Sequence, residues 1–103
     1  MKKFVFIKTT PLHQAAAFDK RNAILKLLLS HKDVDIDFRR PSNNETPLHE
    51  ACHLRQTRNV KTLLSFNAST KSKNFWGDTP KQVATEDGAT KELIQLLEEG
   101  EKV

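Results

Sequence analysis

One cysteine, three glycines and no tyrosine occur among 103 residues, and each scarcity removes a class of protein. A lone thiol, Cys52, cannot close an internal disulfide, so a stapled secretory scaffold is excluded and an intracellular setting is expected. No apolar run exceeds four residues, whereas a bilayer-spanning helix needs about 20. Met1-Lys2-Lys3 followed by Phe4-Val5-Phe6-Ile7 imitates a secretory signal, but Lys8 ends the stretch well short of the ~7–15 apolar residues a signal requires. The sequons Asn44-Glu45-Thr46 and Asn67-Ala68-Ser69 are therefore expected to be idle. With so few glycines there is no loop to cradle a phosphate, and no Ser-His-Asp set is placed by the pattern.

What the chain does carry is charge and self-similarity. Its net charge of +4 is unevenly spread, basic through residue 78 and acidic from 79 onward. Three Thr-Pro pairs recur, at Thr10-Pro11, Thr46-Pro47 and Thr79-Pro80. The first opens TPLHQAAA and leads to AILKLLLS; the second opens TPLHEACH and leads to VKTLLS; the third, TPKQVATEDG and KELIQLLEE, is degenerate. A period near 33 residues calls for stacked repeats.

One unit can be built from its letters. A threonine hydroxyl caps a free backbone N–H, and proline suits the first helical position because its missing donor had no partner there. Leu12, Ala15 and Ala16, like Leu48, Ala51 and Cys52, fall on one helical face, small enough for a second helix to approach closely. A polar turn follows, and then a second helix with Ile24, Leu25, Leu27 and Leu28 apolar in the first unit and Val60, Leu63 and Leu64 in the second. Such a helical hairpin cannot bury its apolar face alone and must stack on a neighbour. Between hairpins, the alternation of Asp33-Val34-Asp35-Ile36-Asp37-Phe38 predicts extended chain, and Asn44 and Gly77, both tolerant of left-handed backbone, mark tight turns.

These blocks resemble the ankyrin repeat. The resemblance spans roughly residues 9 to 99 and implies an all-α solenoid of stacked helix-turn-helix units with β-hairpin-like fingers. It divides the chain into an N-terminal extended segment (1–9), repeats at 10–45 and 46–78, a capping repeat at 79–99 and a tail at 100–103. The family's glycine between the two helices is replaced by Asp19 and Arg55, which implies a different turn there. In the third unit Lys81 and Gln82 replace leucine and histidine, and Gln95, Glu98 and Glu99 give the polar outer face a terminal cap needs. At the other end, either Phe4 to Ile7 shield the first hairpin or the chain is cut from a longer array.

His49-Glu50-Ala51-Cys52-His53 matches HExxH, in which two histidines one turn apart hold zinc and the glutamate activates water. His49 nevertheless belongs to a TPLH block whose copy at His13 lacks the motif, and the resemblance gives both histidines a structural role beside Thr10 and Thr46. Thr79 and Gly77 are structural on the same grounds. Asp33-x-Asp35-x-Asp37 imitates a calcium loop but is followed by Phe38 where glycine belongs. Cys52 sits where alanine is usual, which favours buried packing over nucleophilic chemistry. No metal, cofactor or catalytic residue is expected.

By resemblance, partners are received on finger tips and first-helix positions. Carried over, that surface comprises Arg39, Ser42, Asn43 and Glu45 on one finger and Lys73, Phe75, Trp76 and Asp78 on the next. The first helices add Phe18, then His53 and Leu54, then Glu86 and Asp87. For Phe75 and Trp76, packing on the preceding finger and anchoring a partner are equally open readings. The mixture of basic, aromatic and acidic groups predicts a protein or peptide partner, largely acidic with a basic end, bound by a monomer. Nucleic acid is the competing class, supported by a pI near 9.4 and opposed by the acidic third unit.

Overall fold

The structure, a computed structural model, describes residues 10–101; the segment assigned to 1–9 and the last two residues of the tail lie outside the described residues. Six helices follow in order: α1 (Pro11–Phe18), α2 (Ala23–Leu29), α3 (Pro47–His53), α4 (Thr57–Ser65), α5 (Pro80–Glu86) and α6 (Lys91–Glu101). They pair as α1–α2, α3–α4 and α5–α6, with α1 packed on α3, α3 on α5, and α4 on both α1 and α6. The result is an elongated body of 45 × 29 × 23 Å, an all-α repeat solenoid.

Each first helix begins by the same device. Thr10, Thr46 and Thr79 have extended backbone, proline follows, and each hydroxyl accepts the N–H of the third helical residue, His13, His49 or Gln82. Behind the caps, Leu12, Ala15 and Ala16, then Leu48, Ala51 and Cys52, then Val83 and Ala84 are buried in one continuous core. The second helices contribute Leu25, Leu29, Val60, Leu63, Leu93 and Leu97. Small residues on the first helices are what allow this approach. Gly100 serves likewise on α6, since a Cβ there would lie 3.1 Å from a Leu64 methyl and 3.2 Å from that of Thr70.

The helices end by a second shared device. After α3, Gln56 N–H donates to Ala51 O and Arg55 N–H to Cys52 O; after α4, Ala68 donates to Leu63 and Asn67 to Leu64; after α5, Ala89 donates to Ala84 and Gly88 to Thr85. Each pair is a Schellman closure around a left-handed residue, with φ of +55° at Arg55, +68° at Asn67 and +75° at Gly88. The expectation that Arg55 forces a different turn is thus corrected: the arginine adopts the glycine conformation, and its guanidinium donates to the Asp87 carbonyl of the next unit. The first unit does differ. Asp19 keeps a negative φ of −82° and its carboxylate caps Leu25 N–H at 2.9 Å, while Asn22 takes the left-handed position.

Three further expectations are revised. Among the described residues there is no strand: Asp33–Phe38 forms two successive turns, closed by Val34 N–H to His31 O and Phe38 N–H to Asp35 O. Aspartate side chains compete for backbone donors, and here Asp35 accepts from Asp37 N–H and Asp37 from Ser69 N–H. The hairpin-like fingers are tight turns, closed by Arg40 N–H to Glu45 O and Asn74 N–H to Asp78 O. Ile24 and Leu27, assigned to the apolar face of α2, are exposed, while Leu25 and Leu29 are buried in the core and Leu28 is half-buried against it. Finally, α6 continues to Glu101, so the boundary after Glu99 falls inside a helix.

Buried amides tie the first two units together. The Asn59 amide donates to Ala16 O, the Gln56 amide to Ala17 O, and these carbonyls at the end of α1 would otherwise have no partner. Asn22 donates to Asn59 Oδ1 at 2.7 Å and accepts from the Thr62 hydroxyl at 2.7 Å. No buried side-chain polar atom is left unsatisfied among the described residues.

Two stability predictions result. Leu48 and Leu63 are fully buried, and Leu63→Ala should cost on the order of 2–5 kcal/mol by chemical denaturation, enough to unfold so small a stack. A melting temperature within a degree or two of wild type would remove Leu63 from the seam. Thr46→Val should cost about 0.5–2 kcal/mol through the lost cap, with partner choice unchanged; an unaltered melting temperature would show that the cap contributes nothing.

Candidate functional site

The face made by the fingers and first helices is organised by two imidazoles. His49 Nδ1 accepts the Thr46 backbone N–H at 3.1 Å, with the Thr46 hydroxyl 2.9 Å away. Nδ1 is therefore unprotonated, and Nε2 carries the hydrogen donated to Asp78 O at 2.9 Å. His13 repeats the arrangement: Nδ1 lies 2.7 Å from the Thr10 hydroxyl and Nε2 donates to Glu45 O at 2.8 Å. Burial lowers the pKa of both rings, so they are neutral at pH 7. Each histidine thus fastens its own helix start to the end of the following finger. Gln82, the third unit's substitute, keeps half of this by accepting Thr79 N–H at 2.8 Å.

The zinc-like motif is spent in the same way. Both His49 nitrogens are engaged, Glu50 pairs with Arg40 at 3.0 Å, and His53 turns outward to two carboxylates. Cys52 is fully buried, and desolvation pushes its thiol up to about 12, so it carries no thiolate chemistry.

His53 is the electrostatic centre of the face. Its Nε2 lies 3.0 Å from Glu45 Oε2 and its Nδ1 2.8 Å from Asp87 Oδ2, so both nitrogens donate and the ring is cationic. The hydrogen bond to Glu45 is the main cause that raises its pKa to about 9, against desolvation and with help from Asp87. Glu45 was expected on the partner surface and is instead 3% exposed. Its backbone carbonyl takes His13, and its carboxylate takes His53, Asn74 at 2.9 Å and Asn43 at 3.3 Å. Burial drives the Glu45 carboxyl upward, but hydrogen bonds from His53 and Asn74 outweigh it and leave the pKa lowered. Glu45 is a hub joining two fingers and a helix, and although buried it lines the same depression as His53, Asn74 and Trp76.

The remaining expected residues are distributed as follows. Asn43, Asp78 and Glu86 line one shallow depression of about 680 Å³, together with His53 and Trp76. Trp76 is 71% exposed and Phe75 63%, which settles their geometry in favour of solvent over packing. Phe75 N–H donates to Asn43 O, and the Asn74 side chain accepts from the N–H groups of Trp76 and Asp78. Gly77, at φ +84° with nothing near its missing Cβ, lets this turn close with the two rings outside. Arg39 and Lys73 are brought together, the guanidinium reaching Lys73 O at 3.4 Å, where the Asn44 amide also donates. Ser42 and Leu54 are exposed. Phe18 lines a separate depression with Gln14 and Ile24 on the first unit. Asn74 and Val83, absent from the sequence-based set, also line the central depression; neither carries a periodic or motif signal.

The opposed histidine shifts make stability depend on pH in a definite direction. The His53 contribution, raised from 6.5 to about 9, is fully present below pH 6.5 and is lost as pH rises to about 9. His13 and His49 act oppositely, because below pH 6.5 the unfolded chain takes up protons that the buried rings refuse. His53→Gln should therefore narrow its stability deficit against wild type between pH 6.5 and 9 in scanning calorimetry. The effect is modest, since the ring is partly exposed and screened. A deficit that stays flat or widens with pH would show that His53 holds no extra proton.

Comparison with known proteins agrees with this architecture. A family model described as ankyrin repeats (3 copies) matches residues 5–74, ending before the third Thr-Pro unit with its lysine and glutamine substitutions. The chain is 41% identical over 75 residues to the tyrosine-protein kinase HTK16 of Hydra vulgaris, covering 73% of this chain and 10% of that protein. It is 41% identical over 93 residues to ankyrin repeat and SOCS box protein 11 of Danio rerio, covering 88% of this chain and 30% of that one. The chain thus spans about a tenth and about three tenths of these relatives. The shared threonine caps, histidine bridges and stacked hairpins have one source: the chain belongs to the ankyrin-repeat family.

Proposed function

We propose that this chain is a non-enzymatic module that holds a partner protein or peptide on the face made by its fingers and first helices. Ankyrin repeats generally mediate protein–protein interaction and generally lack catalysis. The kinase relative matches over only a tenth of its length, so its catalysis is not carried over. The observation that carries the reading is the second finger, where Phe75 and Trp76 are held in solvent by hydrogen bonds that the fold itself supplies. Rigid aromatic groups lose little freedom on binding and anchor interfaces well.

The partner chemistry follows from charge. Arg39 and Lys73 lie together beside the aromatics, whereas Glu86 and Asp87 lie on the third unit. A largely acidic segment ending in a basic group fits that order. Arg39, Ser42, Lys73, Phe75 and Trp76 form the main contact strip, flanked by Asn43, Asp78, His53, Leu54, Glu86 and Asp87; Phe18 stands apart from it. The working unit is a monomer in an intracellular setting, and no described helix is long and apolar enough to cross a membrane. The same basic strip is too small, and too near the acidic third unit, to hold a nucleic acid strand.

A pull-down with wild type and a Phe75→Ala/Trp76→Ala variant, read by mass spectrometry, identifies the partner. Against it, Trp76→Ala should weaken binding by about 1–3 kcal/mol in titration calorimetry while the melting temperature barely moves. Charge reversal at Lys73 should slow association and flatten its salt dependence. Unfolding of Trp76→Ala would make the tryptophan a packing residue, and tight oligonucleotide binding with a steep salt slope would favour the other class of partner.

A further inference from the structure

The central depression, where both fingers meet α3 and α5, carries more negative charge than the fold consumes. It encloses about 680 Å³, within the ~300–1,000 Å³ typical of ligand clefts. Three carboxylates, on Glu45, Asp78 and Glu86, line it with the cationic His53 ring, for a net charge of −2. His53 is already held between Glu45 and Asp87. The carboxylates of Asp78 and Glu86, by contrast, have no hydrogen bond or ion pair among the described residues. Arg39 and Lys73 do not line the depression. Glu45 is 3% exposed, and its two oxygens are unequally served. Oε2 takes His53 at 3.0 Å and Asn74 at 2.9 Å, whereas Oε1 receives Asn43 alone at 3.3 Å, longer than the ~2.7–3.2 Å of an ordinary N–H···O bond. A carboxylate oxygen accepts two hydrogens, so this one has room for a further donor. Trp76 supplies an aromatic wall, 71% exposed.

We propose, resting on the reading of this face as a partner surface, that the depression receives one arginine side chain of the bound protein or peptide. Charge selects a cation. An acidic side chain would meet three carboxylates, and an apolar one would cover Asp78 and Glu86 without supplying donors, which is costly. An indole face attracts cations more strongly than any other aromatic ring, so the tryptophan and the carboxylates favour the same guest. Hydrogen bonding selects arginine over lysine. A guanidinium is flat, more weakly hydrated than an ammonium and bears five N–H donors in one plane. It can stack on Trp76 and still turn its edges to Asp78, Glu86 and the under-served oxygen of Glu45. A lysine ammonium is a compact, strongly hydrated point charge and cannot stack in this way. The seat accounts for the basic end of the partner, while Arg39 and Lys73, outside it, face the acidic part.

A nuclear magnetic resonance titration of the full 103-residue chain with the tripeptide acetyl-Gly-Arg-Gly-amide tests the proposal. Trp76 is the one tryptophan, so its indole N–H signal reports the seat directly. That signal and the backbone amides of Asp78 and Glu86 should shift saturably with the arginine tripeptide. The citrulline tripeptide, similar in shape but uncharged, should leave them in place. Glu86→Gln should weaken the interaction several-fold, whereas Glu99→Gln, an exposed change on α6 outside the depression, should not alter it. Absence of saturable shifts, equal shifts with citrulline, or equal losses in the two glutamine variants would overturn the proposal. Tighter binding of the lysine tripeptide would overturn the choice of arginine. A failed titration beside a partner pull-down that still depends on Phe75 and Trp76 would remove the arginine seat and leave the partner face standing.

Discussion

Everything on the face made by the fingers and first helices rests on a neutral imidazole that bonds at both ends. In His13 and His49 one ring nitrogen accepts from the helix cap and the other donates to a carbonyl about thirty residues further on. The bridge works only while the ring is neutral, since a doubly protonated ring would turn two donors toward each other at the cap. Burial secures that state by penalising charge. A helix start, a finger end and the next repeat are thereby fixed relative to one another, and a finger can then present side chains without packing beneath them.

Around this frame the polar groups divide by depth. Deep inside, Asn22, Asn59, Thr62 and Gln56 satisfy the carbonyls at the end of α1. Nearer the surface, Glu45 gathers both fingers and His53, and His53 passes the connection to Asp87 in the third unit. A buried carboxylate without those donors would be strongly destabilising; with them it sets the position of the finger. The third unit is therefore coupled to the first finger through one cationic side chain. The first finger and the third unit are held together by electrostatics as well as by the leucine seam.

The first and third units present different surfaces. The third unit meets water with glutamine and glutamate on α6, and its cap keeps the threonine while a glutamine stands in for histidine. The first unit meets water with Ile24, Leu27 and Phe38. Direction matters in a repeat array: each unit offers one face to its predecessor and another to its successor, and the first unit has the apolar face of an inner repeat.

Helix starts, core leucines and repeat count were legible in the letters, because capping and 3.6-residue periodicity are local effects. Thr-Pro signals a helix whatever surrounds it, and Leu48 and Leu63 fall on apolar faces that any hairpin must bury. The direction of a face was not legible: Ile24 and Leu27 share the leucine-rich text of α2, yet only the position of α1 determines that Leu25 and Leu29 turn inward. Arg55 carries no local sign of a left-handed backbone; the closure to Ala51 and the pull of Asp87 impose it. Glu45 reads as a surface finger residue by register and is buried because Asn74 and His53, distant in sequence, converge on it. The sequence by itself determined the family, the caps and the core. The tertiary structure decided which groups were consumed in holding repeats together and which, like the Trp76 ring, were left in solvent, because hydrogen bonding across about thirty residues depends on where the stack brings those groups together.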